Sequence, residues 1–346
     1  MHTQTSNQKV FENVKFALGK IENYHHSRNI ANLQDAEIAL SASLREDSEY
    51  LDAVFYSGVL MDLMGRSADS PPFFERILKE VKDPNLISEA QFNLGVSYYH
   101  RYGHEYLNIA ESYFVKVINS TNNRALKKLA IASLAQTYAM WMIPNAAQKE
   151  LIKNAQTKET VYNHIKEKYS KFNDYSKQIT LYSMLFIGNS KEKRKINAII
   201  KNARGIALMY YSDYLANDVK SKLKYLNKSL TNIKESEKLI SNDWAYICNL
   251  GSVHWRIALA TENKTEQIRE YEEAIQLFNK VITSLRPNYG FAFYELGRIY
   301  RTKGDFDKAI EYFNLSLGIE DKYREVSNKT VNNEKGRAER NNSSFP

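Results

Sequence analysis

His100 and His104 stand four residues apart, the interval at which two imidazoles share one helix face and can hold a metal. Gly103 lies between them and interrupts a helix, and no third ligand accompanies the pair, so no metal centre is expected. The one cysteine, Cys248, sits beside Ile247 and Leu250 without a base or a cationic neighbour in sequence. A lone thiol so flanked reads as a buried residue rather than a nucleophile, and it excludes an internal disulfide framework. Glu272-Glu273 reads as ordinary helix surface. There is no glycine-rich phosphate loop and no dinucleotide fingerprint. The expectation is a chain that is not an enzyme and has no cofactor; a hydrolase site hidden in the least regular stretch is the enzymatic alternative.

Electrostatics offers a second kind of chemistry. The 346 residues carry a net charge of +8. Residues 149–238 hold 19 Lys or Arg against 9 Asp or Glu, a local charge of +10, which leaves −2 for the rest. Lys191, Lys193, Arg194 and Lys195 form the densest run, followed by Lys201 and Arg204. Lys220, Lys222, Lys224 and Lys228 form a second group. Tyr169, Phe172, Tyr175, Tyr182, Tyr210 and Tyr211 interleave with these cations and could stack on bases. The segment is therefore a candidate RNA- or DNA-binding surface, with a solvated face of lysine-rich helices as the plainer alternative.

The elements that must position these groups are helices. Pro and Gly are scarce, at 6 and 13 residues, and apolar alternation of period two is hard to find. Phe293, Leu296 and Tyr300 make one helical stripe; Ala309, Phe313 and Leu317 make another. Gly304 can end the first helix with a positive φ, and Asp305 can cap the second. Leu94-Gly95 with Tyr98, Ala110 and Phe114 is a similar unit, as is Leu250-Gly251 with Ala274 and Phe278. Fainter versions centre on Gly19, Gly58 and Ala135. From Ala135 to Gly251 the signature fades, but 191–217 still reads as one long helix and Leu223, Leu226, Leu230 and Ile233 as the stripe of a second. Gly65–Pro72 reads as a loop. The uncharged run 178–190 is too short to span a membrane, and the polar first residues show no secretory leader.

Phe293, Leu296-Gly297, Tyr300, Ala309 and Phe313 resemble the tetratricopeptide repeat, with Phe in the tryptophan position and Asp321 where the closing proline usually sits. One such unit cannot bury its apolar face alone. The resemblance implies an all-α, right-handed α-solenoid of about eight antiparallel helix pairs. The expected parts are N-terminal repeats over 1–145, a basic divergent segment over 146–238, C-terminal repeats with a short capping helix over 239–326, and a disordered polar tail over 327–346.

The resemblance also implies a function. First helices of the repeats line a concave groove, which puts Tyr294, Arg298 and Arg301 there, with Trp255 and Arg256 beside Cys248 and Ser252, and Phe92, Tyr99 and His100 beside Val96. Arginine and large aromatics are the residues that interface hot spots favour. A protein or peptide partner is expected, with nucleic acid as the alternative, no membrane partner and a cytoplasmic location. The Lys/Asn carboxylate clamp of chaperone adaptors is absent.

Overall fold

The computed structural model describes residues 7–343, apart from 102, 145, 154–156, 186–189, 321–322 and 324–325. Among the described residues every regular element is helical. Contacts divide the chain into two compact units, Met1–Ala130 with Ser284–Arg286, and Ile131–Thr283 with Pro287–Pro346. This division does not fall at the composition changes near 145 and 238.

The first unit is built from α1 (Gln8–Ser27), α2 (Ala31–Glu46), α3 (Leu51–Leu63), α4 (Pro71–Glu80), α5 (Pro84–Tyr99) and α6 (His104–Ser120), packed as three successive hairpins. α7 (Arg124–Met140) runs across the boundary. The second unit continues with α8 (Ala146–Ile152), α9 (Lys158–Leu185), α10 (Ser190–Tyr214) and α11 (Val219–Leu239). It then adds α12 (Trp244–Ala260), α13 (Lys264–Lys280), α14 (Gly290–Thr302), α15 (Phe306–Leu317) and α16 (Asn328–Ser343). α10–α11, α12–α13 and α14–α15 are hairpins, each stacked on the next, the local architecture of an α-solenoid. The basic segment 191–238 is therefore one of these hairpins and stacks on α12.

One local rule makes the hairpins. In every hairpin named here except α1–α2, a glycine of the first helix faces a large side chain of the second. A Cβ added at Gly58 would lie 2.8 Å from the Phe74 ring, at Gly95 2.6 Å from Phe114, and at Gly297 2.6 Å from Phe313. No side chain at these positions would leave room for the ring, so the helices close only on glycine. Phe74, Phe114, Phe278 and Phe313 are all fully buried. In the divergent middle, Ile233 takes the ring's place against Gly205. This is why the aromatic signature fades there while the hairpin persists. Turn chemistry completes the rule: Gly304 has φ +82°, and the Asp305 carboxylate accepts from the Lys308 amide at 3.3 Å.

The C-terminal tail departs from expectation. Residues 328–343 are helical, not disordered, and α16 covers the last hairpin; the short capping helix expected within 319–326 falls largely outside the described residues. Val331 and Ala338 are fully buried against the Tyr294, Ala309 and Phe313 core. Seven residues apart, they fall on one face after two turns. Ser327 caps the helix, its hydroxyl accepting from the Thr330 amide at 3.3 Å. Two small apolar residues among asparagines and charges were too faint a stripe to read.

Candidate functional site

In the C-terminal unit the first helices α10, α12 and α14 are joined by side chains that reach from one to the next. The Arg256 guanidinium of α12 donates to Asp213 of α10 at 2.7 Å and to the Ser252 carbonyl at 3.1 Å. It lies 5.3 Å from the centre of the Tyr210 ring. Asn249 of α12 donates to Asn202 of α10 at 3.0 Å. The Arg298 guanidinium of α14 lies 4.1 Å from the Trp255 ring centre and donates to Glu295 at 3.0 Å. Such cation–ring contacts are worth roughly 0.5–2 kcal/mol, more as water is excluded.

The electrostatics of this row follow from burial. For Arg256, burial opposes the charged form, but Asp213, Tyr210 and Glu295 outweigh it and hold the guanidinium above its ordinary range. For Arg298, burial is likewise outweighed, chiefly by Glu295. The phenols of Tyr214 and Tyr294 are pushed up to about 12, first by burial. Lys149 of α8 keeps solvent access, yet protein crowds its ammonium, and burial followed by repulsion from Arg298 lowers its pKa. Three buried polar atoms here have no hydrogen-bond partner among the described residues: the Trp255 indole nitrogen, Oε2 of Glu295 and Nδ2 of Asn202. Trp255 and Glu295 are 3 % exposed.

Of the residues expected in a groove, Trp255, Arg256, Tyr294 and Arg298 are brought together in this row. Tyr294 is largely core, with its ring 6.1 Å from Phe313. Arg301 is paired with Glu334 of α16, which lies 3.1 Å from its Nε. Cys248 and Ser252 are buried. In the N-terminal unit Phe92 packs on Phe114 at 5.7 Å, inside its own hairpin, and Tyr99 is buried. His100 stands 4.0 Å from Asp62.

That neighbourhood contains serine, histidine and aspartate. Ser70 and Ser97 both donate to Oδ2 of Asp62, at 3.0 and 2.5 Å, and the His100 imidazole stands nearest its other carboxylate oxygen. The other histidine–carboxylate pair, His254 with Glu270 at 2.5 Å, is buried within the α12–α13 hairpin. Among the described residues no group of three or more His, Cys, Asp or Glu could hold a metal ion.

The basic segment separates into two parts. Lys201 is paired with Glu235, and Arg204, itself exposed, donates to Ser176 at 2.9 Å. Several of the interleaved aromatics pack on other rings within the protein. Tyr175 lies on Tyr138 at 5.5 Å, Tyr169 on Tyr211 at 5.0 Å and Tyr211 on Tyr225 at 4.6 Å. Phe172 and Tyr210 are buried, and the Tyr182 side chain lies outside the described residues. Lys191, Lys193, Arg194 and Lys195 on the first turns of α10 are exposed, as is the outer face of α11. At 100° per residue, Lys220, Lys224, Lys228, Lys234 and Lys238 all fall on that outer face.

Glu295, Asp213, Lys149 and Glu334 were missed by sequence reasoning. Only Glu295 had a local signal, its i,i+3 spacing to Arg298.

A stack of antiparallel hairpins, four of them closed by a glycine against a phenylalanine, with cations bridging first helices, defines an α-solenoid of the helical-repeat class. Residues 292–323 match the family model for the tetratricopeptide repeat. No curated protein matches the chain. Among solved structures it is similar to a thermophilic TPR protein of Thermus thermophilus, at 14 % identity and TM-score 0.45, over 72 % of this chain and 98 % of that one. A tetratricopeptide repeat protein from Parabacteroides merdae aligns at 11 % identity and TM-score 0.42, over 96 % and 100 %. The human IFIT1 dimer with m7Gppp-AAAA aligns at 14 % and 0.44, over 91 % and 69 %. Likenesses this loose assign no function. No helix among the described residues is long and apolar enough to cross a membrane.

Proposed function

We propose that this protein is a non-catalytic interaction scaffold that binds a protein or peptide partner along α10, α12 and α14. The observation that carries the reading is Arg298. Its side chain is 31 % exposed, it lies on the Trp255 ring, and only one of its three nitrogens is engaged. A planar guanidinium held on an aromatic face, with donors to spare, is a preorganised recognition group. Arg256 is the supporting member, fixed by Asp213.

The test is photo-crosslinking in the native cell, with p-benzoylphenylalanine placed at Lys149 or at Lys224. The reading expects a protein partner crosslinked from position 149 and unaffected by nuclease. Crosslinks from 224 alone, lost on nuclease treatment, would contradict it.

A second reading has its own observation. The five lysines on the outer face of α11 span about 27 Å at 1.5 Å per residue, and the nearby Glu235 is engaged by Lys201. That is a ridge fit for a nucleic-acid backbone.

A further inference from the structure

We infer that the outer flank of the first hairpin, α1–α2, is a homodimer interface, on which a second copy of this chain packs with two-fold symmetry and its α1 lying over α2. This surface belongs to the first unit and is independent of the partner-binding row proposed above.

Two exposed apolar side chains mark the surface. Phe16 of α1 is 52 % exposed and Ile38 of α2 is 68 % exposed, the latter the most exposed large apolar side chain among the described residues. Both lie in one patch. Lys9 pairs with Glu46 and Lys20 with Asp35, each at 2.6 Å, and these pairs fix the antiparallel register of α1 on α2. That register sets Phe16 level with Ala39, one residue from Ile38. Lys9, Phe16 and Lys20 share a stripe on α1, and Asp35, Ile38 and Glu46 share one on α2. The patch is turned away from the next hairpin. Glu37, about 140° round α2 from the middle of its stripe, accepts a bond at 2.7 Å from Arg66, which follows α3. The stripe therefore lies at the end of the stack, where an exposed apolar pair with a charged rim is the anatomy of an interaction surface.

Charge decides what fits there. The two ion pairs put both of their cations on α1 and both of their anions on α2. A two-fold axis parallel to the helices lays α1 of one copy antiparallel on α2 of the other, with the register kept. Lys9 then faces Glu46 across the interface, Lys20 faces Asp35, and Phe16 faces Ile38. At the rim, exposed Glu12 of α1 and Arg45 of α2 carry the reverse signs and again meet as opposites. The other aligned two-fold packing lays α1 antiparallel on α1 and sets Lys9 against Lys20 and Asp35 against Glu46. The face is thus complementary to itself in one arrangement and repulsive in the other, as an isologous contact requires. Two helices about 25 Å long and ~20 Å across bury roughly 500 Å² per copy and ~1,000 Å² in all, the lower end of specific interfaces. With two apolar anchors per copy, the dimer is weak and reversible, with a Kd of roughly 10–100 µM.

The test is sedimentation velocity of the full chain from about 5 to 500 µM. The expected result is a species of 40.1 kDa at the low end that shifts towards twice that mass with concentration. Phe16→Glu, at an exposed position, should weaken the dimer at least about 10-fold with the melting temperature unchanged. Charge swaps read the geometry. Lys20→Glu and Asp35→Lys should each self-associate about 10-fold more weakly than the parent. Mixed together, the two variants should form a dimer again, because each supplies the charge that the other's face needs. A parent that stays monomeric throughout, or a dimer undiminished by Phe16→Glu, overturns the inference. So does a Lys20→Glu variant that self-associates more tightly, the result expected if α1 lay on α1, or a mixture of the two swaps that forms no dimer.

Discussion

The outer face of α11 and the row formed by α12 and α14 are both cationic, and they are cationic in opposite ways. α11 presents five lysines in water, with little to fix their geometry. The α12–α14 row has only Arg256 and Arg298, each lying against an aromatic ring and next to a carboxylate. In water a unit charge is screened and its direction is lost; in a drier setting the same charge acts strongly and only along its bonds. Counting charges picks out α11, whereas counting constrained, partly desolvated donors picks out Arg298.

The largest effect that separates the two faces is salt. A nucleic acid held by the five α11 lysines should loosen about 500-fold between 50 and 200 mM salt, from a slope near −0.9 per phosphate neutralised. A partner held at Arg298 should lose less than about 10-fold over that range, because partly buried pairs are screened less. Fluorescence anisotropy with a labelled RNA, and with the crosslinked partner's peptide, measures both slopes.

Stability should divide the faces next. Arg256→Ala leaves Asp213 without its cation in a largely buried setting and should cost about 3 kcal/mol. Lys224→Ala, in water, should change stability by less than about 0.5 kcal/mol. Urea denaturation of the two variants gives the comparison directly. The hairpin beneath Arg298 is sensitive in a third way. Gly297→Ala drives a methyl into the Phe313 ring and should cost about 1–3 kcal/mol. Gly251→Ala meets Phe278 at 3.1 Å, with more room for the ring to give, and should cost less.

The smallest expected effect is a pH dependence in the α12–α13 hairpin. Burial raises the Glu270 pKa, but hydrogen bonds from His254 and Arg269 more than offset it, so the folded value lies below the ordinary 4.5. A depressed carboxylate contributes stability above its unfolded pKa and loses it as pH falls through the folded one. Denaturation curves from pH 6 down to 3 should therefore steepen below about 4.5 in the parent and flatten in Glu270→Gln.

How much of this was legible depended on the range over which each residue's partner lies. The α14–α15 hairpin could be read because its determinants, Gly297, Gly304, Asp305 and Phe313, stand within a few turns of one another. The α10–α11 hairpin could be read as helices but not as a repeat, since Ile233 fills the place of the ring. The site was readable only in its arginines and Trp255. Asp213 meets Arg256 across 43 residues, and Glu334 takes Arg301 across 33, through contacts set by how one hairpin stacks on the next. No local spacing encodes them. The ring partners of the tyrosines in the basic segment were hidden for the same reason, because they are other tyrosines brought up by the fold.

The most direct test of the central claim is hydrogen–deuterium exchange of the full chain with and without the protein captured from position 149. The account predicts new protection over residues 244–260 and 290–302, with residues 219–239 unchanged. Protection confined to 219–239, with α12 and α14 exchanging as in the free protein, would contradict it.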